Sequence, residues 1–262
     1  MTIGNVKIVY WLCLISAIAV AIVYIFQSFY PDFMYTFSNV FPPLVAGVSV
    51  LASFFALRKY WSNIGSRLSK IWFCFVFGML FWFLGEFGWA VYTMILNVEI
   101  PYPSIADVFW LSGYVPLFVA LLLYIQLLKP AISGKMLLGA GIIVTGMSAT
   151  VLSPLMISTF SEASQQDFAT ASISFAYPSL DLLLLLTAIL GLLVFTVTRL
   201  EGRIGVAWFF MNIAILLNVF GDMTFSYTTM NNTYYNGHPQ ELLLIWGYLL
   251  FALAFYVHAK EL

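Results

Sequence analysis

Charged side chains are scarce in this sequence. Its 262 residues include 10 Lys and Arg and 11 Asp and Glu, 8% of the total, with a net charge of −1. An ordinary soluble domain carries about 25%, so this composition cannot cover a water-exposed surface. There is no basic stripe, which argues against nucleic acid as a partner. Cysteine and histidine are rarer still, at two each. Cys13 and Cys74 are expected as reduced, buried thiols, and no C-x-x-C pair exists. His238 and Glu241 form H-x-x-E, but one histidine without cysteines disfavours a zinc site, leaving only a hard cation held by carboxylates. No lysine lies mid-way along an apolar run, which disfavours a retinal Schiff base. P-loop, H-E-x-x-H and Ser–His patterns are also missing, so the sequence points to no cofactor, no metal and no catalytic residues.

Apolar residues fill the space instead, at 63% of the chain. The apolar runs read as eight helices, at about 6–28, 39–57, 70–96, 104–128, 136–156, 178–200, 204–226 and 239–258. A membrane span needs roughly 20 such residues. The expected fold class is therefore all-α, a polytopic integral membrane bundle of about eight transmembrane helices. Residues 1–262 form a single transmembrane domain with the lipid bilayer as solvent. The first run is too long for a signal-peptide core and lacks an A-x-A-like exit, so it is expected to remain as a helix. These spans use nearly the whole sequence, so no soluble output domain is expected.

Charge placement supports the spans. Every second connection holds the positives: Lys7; Arg58, Lys59, Arg67 and Lys70; Lys129 and Lys135; Arg199 and Arg203; Lys260. The other connections and adjoining helix ends hold Asp32, Glu86, Glu99, Asp107, Glu162, Asp167, Asp181, Asp222 and Glu241, while Glu201 and Glu261 fall on the basic side. The positive-inside rule then predicts a multi-pass protein of the cell membrane with both termini cytoplasmic. The Asn231-Asn232-Thr233 sequon falls on the outer side.

The four helices that enter from outside each open near proline, at Pro42-Pro43, Pro103, Pro178 and Pro239, where a missing N–H is tolerated. Between 157 and 176 a long polar outer connection is expected. Two hairpins resemble each other. One reads Gly85-Glu86, Tyr92, Asp107 and Gly113-Tyr114; the other reads Gly221-Asp222, Tyr227, Glu241 and Gly247-Tyr248. Tyr102-Pro-Ser-Ile-Ala-Asp107 is echoed by Tyr177-Pro-Ser-Leu-Asp181. An internal duplication with repeat units 70–128 and 204–258 fits these strings, and convergent helix-start chemistry is the competing reading. Small-residue stripes at Ala46, Ser49, Ser53 and Ala56, and at Gly141, Thr145 and Ala149, predict close helix packing.

The acids on the outer side are the candidate site. Glu86 lies 16 residues past Lys70 and Asp222 lies 19 past Arg203, about 24 and 28 Å along their helices at 1.5 Å per residue. Both acids fall within the outer part of the bilayer core, where an ionisable group should face the bundle interior or a cavity. Asp107, Asp181 and Glu241 are read near helix starts, where a carboxylate can cap free N–H groups, so capping and ligand contact both stay open for them. No Lys or Arg is available on that side. A proton, a cation, or Tyr, Trp and Asn donors must compensate the acids. Helical spacing puts Trp82 and Trp89 with Glu86, Trp110 and Tyr114 with Asp107, Asn218 with Asp222, and Tyr248 with Glu241. An outward-facing pocket with acidic and aromatic walls suits an organic cation or small amphipathic ligand. Tyr30, Tyr35, Tyr234 and Tyr235 are read as an interfacial aromatic belt.

The run Gly85-Glu-Phe-Gly-Trp89…Pro101-Tyr-Pro-Ser-Ile-Ala-Asp-Val-Phe-Trp-Leu-Ser-Gly-Tyr114 resembles the membrane sensor region that precedes histidine-kinase or diguanylate-cyclase domains in many archaea and bacteria. The resemblance continues at Tyr177-Pro-Ser-Leu-Asp181, Gly221-Asp222 and Trp246-Gly-Tyr248, so it covers about residues 70–258. It implies a prokaryotic sensor or ligand-binding module, here stand-alone, that signals through a separate protein. A small transporter of a cation or proton-coupled solute is the alternative. An intramembrane enzyme using Glu86 and Asp222 as acid and base is the third reading, and it lacks an evident nucleophile or metal.

Overall fold

The computed structural model describes residues 4–127, 133–147, 167–198 and 202–261. Apolar sequence with few charges leaves the backbone to satisfy its own hydrogen bonds, and in lipid the helix does this within one segment. Eight helices follow among the described residues: α1 Gly4–Ile25, α2 Pro31–Arg58, α3 Arg67–Ala90, α4 Ile105–Leu127, α5 Gly134–Met147, α6 Phe168–Thr198, α7 Gly202–Met230 and α8 Glu241–Glu261. A π-helical turn, Val91–Ile95, continues α3. Seven of the helices are long and apolar enough to cross a membrane, and α5 is a shorter apolar helix. The chain is an all-α, multi-pass membrane bundle. Large apolar side chains such as Trp11, Leu51, Phe55 and Leu138 stay exposed on its outside, as expected where lipid replaces water.

Helix starts differ from the sequence expectation in two places. Pro42 and Pro43 lie inside α2, which already begins at Pro31, and Pro178 lies inside α6, which begins at Phe168. Proline is tolerated within a membrane helix because nearby side chains add backbone hydrogen bonds. Around these prolines Asn39 Nδ2 donates to the Tyr35 carbonyl and Ser179 Oγ to the Phe175 carbonyl, each at 2.8 Å, whereas the carbonyls that lose an N–H partner to proline are those of Ser38, Asn39 and Ser174. The N-cap of α6 is Asp167, whose Oδ1 accepts from Thr170 N at 3.2 Å. The polar connection expected over 157–176 therefore gives way to helix from Phe168, and 157–166 lie outside the described residues. Pro103 and Pro239 do precede their helices.

Packing follows one plan in both halves of the chain. The closest pairs are α3 with α4 and α7 with α8. Helix α2 packs against α3 and α8, as α6 packs against α7 and α4. The stripe Ala46, Ser49, Ser53 and Ala56 is fully buried, and Ser49 Oγ donates to the Tyr248 carbonyl at 2.6 Å across the α2–α8 seam. The stripe on α5 behaves otherwise: a Cβ at Gly141 would meet nothing within 4 Å, and Ala149 lies outside the described residues. Lys129, Glu162, Arg199 and Glu201 also lie outside them.

Glycines bring the paired helices together at matching positions. In the α3–α4 pair, Gly85 faces Trp110 and Gly113 faces Trp82. In the α7–α8 pair, Gly221 faces Leu244 and Gly247 faces Asn218. Trp82 and Asn218 each stand four residues before the acid of their helix, and Trp110 and Leu244 four before its tyrosine. The two hairpins thus repeat the same two contacts with different side chains.

Candidate functional site

Because α3, α4, α7 and α8 approach closely at these glycines, the residues one step further along meet in the middle. Tyr248 on α8 donates to Glu86 Oε1 on α3 at 3.0 Å. Tyr114 on α4 donates to Asp222 Oδ2 on α7 at 2.7 Å. Each Gly-Tyr hydroxyl therefore reaches the Gly-acid of the other hairpin. Trp82 sits between the two tyrosines, edge-to-face with both, at 5.5 Å from Tyr114 and 6.3 Å from Tyr248. Both acids point into the bundle and neither into lipid.

Asp181 joins this centre from α6. Its Oδ1 accepts from the same Tyr114 hydroxyl at 2.8 Å. Asp181 lies deep within α6, since that helix starts at Phe168, so the helix-start capping reading does not hold for it. A phenol carries one hydrogen, and here it faces two carboxyls. Among the described residues the Tyr114 hydroxyl is the side-chain donor to both Asp181 and Asp222, and Asp181 is only 2% exposed. Asp222 and Glu86 are less completely buried than Asp181.

The other two acids hold the helix starts. Asp107 Oδ2 accepts from Ser104 N at 2.7 Å and Ser104 Oγ at 2.9 Å, while its Oδ1 accepts from Tyr177 at 2.9 Å. Glu241 accepts from Tyr24 at 2.7 Å, from Tyr234 at 3.0 Å and from Gly237 N at 2.9 Å. Gly237 has φ +94°, and a Cβ there would press on Met34, so this position suits glycine. Both carboxylates are buried and amply supplied with donors. The Tyr234 phenol, outside the spans, is pushed up by burial and by Glu241 and stays a donor. Burial lowers the His238 imidazole below its ordinary value, and its Nδ1 accepts from Gln240 N at 3.3 Å.

Aromatic rings close the acid-bearing end. Trp89 lies 6.0 Å from Trp110, 6.1 Å from Phe225 and 6.4 Å from Tyr234, and Phe225 lies 4.8 Å from Tyr234. Trp89 Nε1 donates to Asn39 Oδ1 at 2.9 Å, tying this group to α2. Towards the basic end the core is solid: Phe75, Met79, Leu117, Leu121, Phe251 and Phe255 are all fully buried.

The structure thus brings together Glu86, Asp222, Asp181, Tyr114 and Tyr248, with Trp89 and Trp110 above them. Asp107 and Glu241 stand one layer further out. Asn218 is placed differently: its amide donates to the Ala214 carbonyl at 2.9 Å and its side chain packs on Gly247. Sequence reasoning missed Tyr24, Tyr177, Tyr234 and Asn39. Tyr177 carried a signal in the repeated Tyr-Pro-Ser string, whereas Tyr234 was read as a belt residue. Among the described residues, no three His, Cys, Asp or Glu side chains are grouped to hold a metal. Comparison with protein-family models, with curated proteins and with solved structures gave no match.

Proposed function

We propose that this chain is an integral membrane sensor or ligand-binding module whose ligand, a small organic cation, enters between Glu86 and Asp222 beneath the aromatic group. The observation that carries this reading is the shared Tyr114 hydroxyl: two carboxyls, one hydrogen, and phenols as their side-chain partners. A cation supplies the missing positive charge, and Trp89 and Trp110 supply ring faces for it. Intramembrane acids by default mark ligand or ion sites. The resemblance of the Gly-Glu and Tyr-Pro-Ser strings to prokaryotic sensor regions supports the same reading, with output through a separate signalling protein. The proposed setting is the cell membrane, with both termini cytoplasmic and the acid-bearing end outside, from the distribution of Lys and Arg.

Transport of a cation or proton-coupled solute is the second reading, favoured by the same acids and opposed by the solid apolar core below them. Radiolabelled tetramethylammonium separates the two. The purified full chain is expected to bind it saturably in detergent, and proteoliposomes should show no uptake above empty vesicles. Uptake above that background would replace sensing by transport. Absence of saturable binding would remove the cation reading.

A further inference from the structure

The opposite end of the bundle carries a second feature, unrelated to the acids. A cleft of ≈ 510 Å³ opens between α2 and α8, lined by Ala52, Phe55, Arg58, Lys59, Tyr256, Ala259 and Lys260. Helical spacing puts Ala52, Phe55 and Lys59 on one stripe of α2, and Tyr256, Ala259 and Lys260 on one stripe of α8. The two alanines leave room between the helices. Phe55 is 62% exposed, so the cleft opens towards lipid. Lys260 Nζ lies 5.5 Å from the Tyr256 ring centroid, which holds this cation at the cleft.

We propose that this cleft binds the headgroup of an anionic phospholipid. Its walls change character along the helix axes. Ala52 and Phe55 form an apolar floor on the membrane side, and Arg58, Lys59 and Lys260 form the rim at the helix ends. A phospholipid has the same order, with acyl chain, then glycerol, then phosphate. Among the described residues, none that lines the cleft is acidic. Cations at the C-termini of α2 and α8 also offset the negative helix poles, but that role needs neither a cleft nor an apolar floor. A free inorganic anion would use the rim and leave the floor idle. Basic pockets between membrane helices are a recurrent solution for phosphate-bearing lipids.

The test uses the purified full chain in detergent, offered phosphatidylglycerol, phosphatidylcholine or inorganic phosphate, with bound lipid read by native mass spectrometry. Phosphatidylglycerol should be retained in preference to phosphatidylcholine, and inorganic phosphate should not displace it. Each basic residue near an anionic lipid is worth about fivefold in affinity. The triple variant Arg58→Gln, Lys59→Gln, Lys260→Gln should therefore lose phosphatidylglycerol almost completely. Arg67→Gln, Lys70→Gln, Lys135→Gln removes the same charge from exposed positions away from the cleft and should keep it. Ala52→Leu keeps every charge but fills the floor, and should also lose the lipid. Equal loss from both triple variants, equal retention of the two lipids, or displacement by inorganic phosphate would each overturn the proposal.

Discussion

One hydroxyl serves two carboxyls at Tyr114, and this sets the most informative substitution. Tyr114→Phe removes the hydroxyl that Asp181 and Asp222 share and leaves the two acids facing each other. Tyr248→Phe removes a donor from Glu86 alone. Hydrogen bonds inside membrane proteins are worth about 0.6 kcal/mol on average and about 1.7 at most. Leaving buried acceptors unpaired raises the loss to about 1–3 kcal/mol. Tyr114→Phe is expected in the upper part of that range and Tyr248→Phe in the lower. Unfolding of the purified variants in graded SDS measures both. Equal stability of Tyr114→Phe and the parent would mean that the phenol does not bridge the two acids.

Helix packing offers its own test, because the two hairpins use glycine in the same way. A methyl group at Gly113 would collide with Trp82, and one at Gly247 with Asn218. Overpacking of this kind costs about 1–3 kcal/mol. Gly113→Ala and Gly247→Ala are expected to destabilise by similar amounts, while Gly139→Ala and Gly141→Ala, with nothing within 4 Å, should be neutral. A marked cost at Gly141, or none at Gly113, would contradict the packing described. At this scale the sequence was informative about helices and less so about their starts. Runs of apolar residues fix a span regardless of its neighbours, so the order of the described helices was legible. The start of α6 was not, because its cap, Asp167, sits in a polar stretch that reads as loop. Asp181 was misplaced as a result. Glu86, Asp222, Tyr114 and Tyr248 were legible because an acid or a Gly-Tyr pair far inside a span is unusual. Tyr24 and Tyr177 were not, because their partners Glu241 and Asp107 lie on other helices, and Tyr234 was not, because a tyrosine in an outer loop reads as an interfacial anchor.

For the whole molecule, the two ends divide the chemistry. Glu86, Asp107, Asp181, Asp222 and Glu241 collect at one end with Tyr114, Tyr248, Trp89 and Trp110, the described Lys and Arg lie towards the other, and apolar side chains dominate the core between them. The orientation proposed from this division is open to impermeant thiol labelling in intact cells. Asn232→Cys is expected to label and Arg67→Cys to stay unlabelled, and the reverse pattern would invert the bundle. The ligand site is tested most directly on four samples of the full chain: parent, Glu86→Gln, Asp222→Asn and Asp107→Asn. Thermal midpoint and tetramethylammonium affinity are measured on each. A neutral isostere keeps most packing and some hydrogen bonding, so a purely structural carboxyl loses affinity only as far as it loses stability. Glu86→Gln and Asp222→Asn should each lower affinity by about tenfold or more, the equivalent of about 1.4 kcal/mol, with little change in midpoint. Asp107→Asn, at the helix start, should lower the midpoint and leave affinity near that of the parent. Unchanged affinity in both pocket variants, or a loss matched by their loss of stability, would mean that the acids only hold the bundle together.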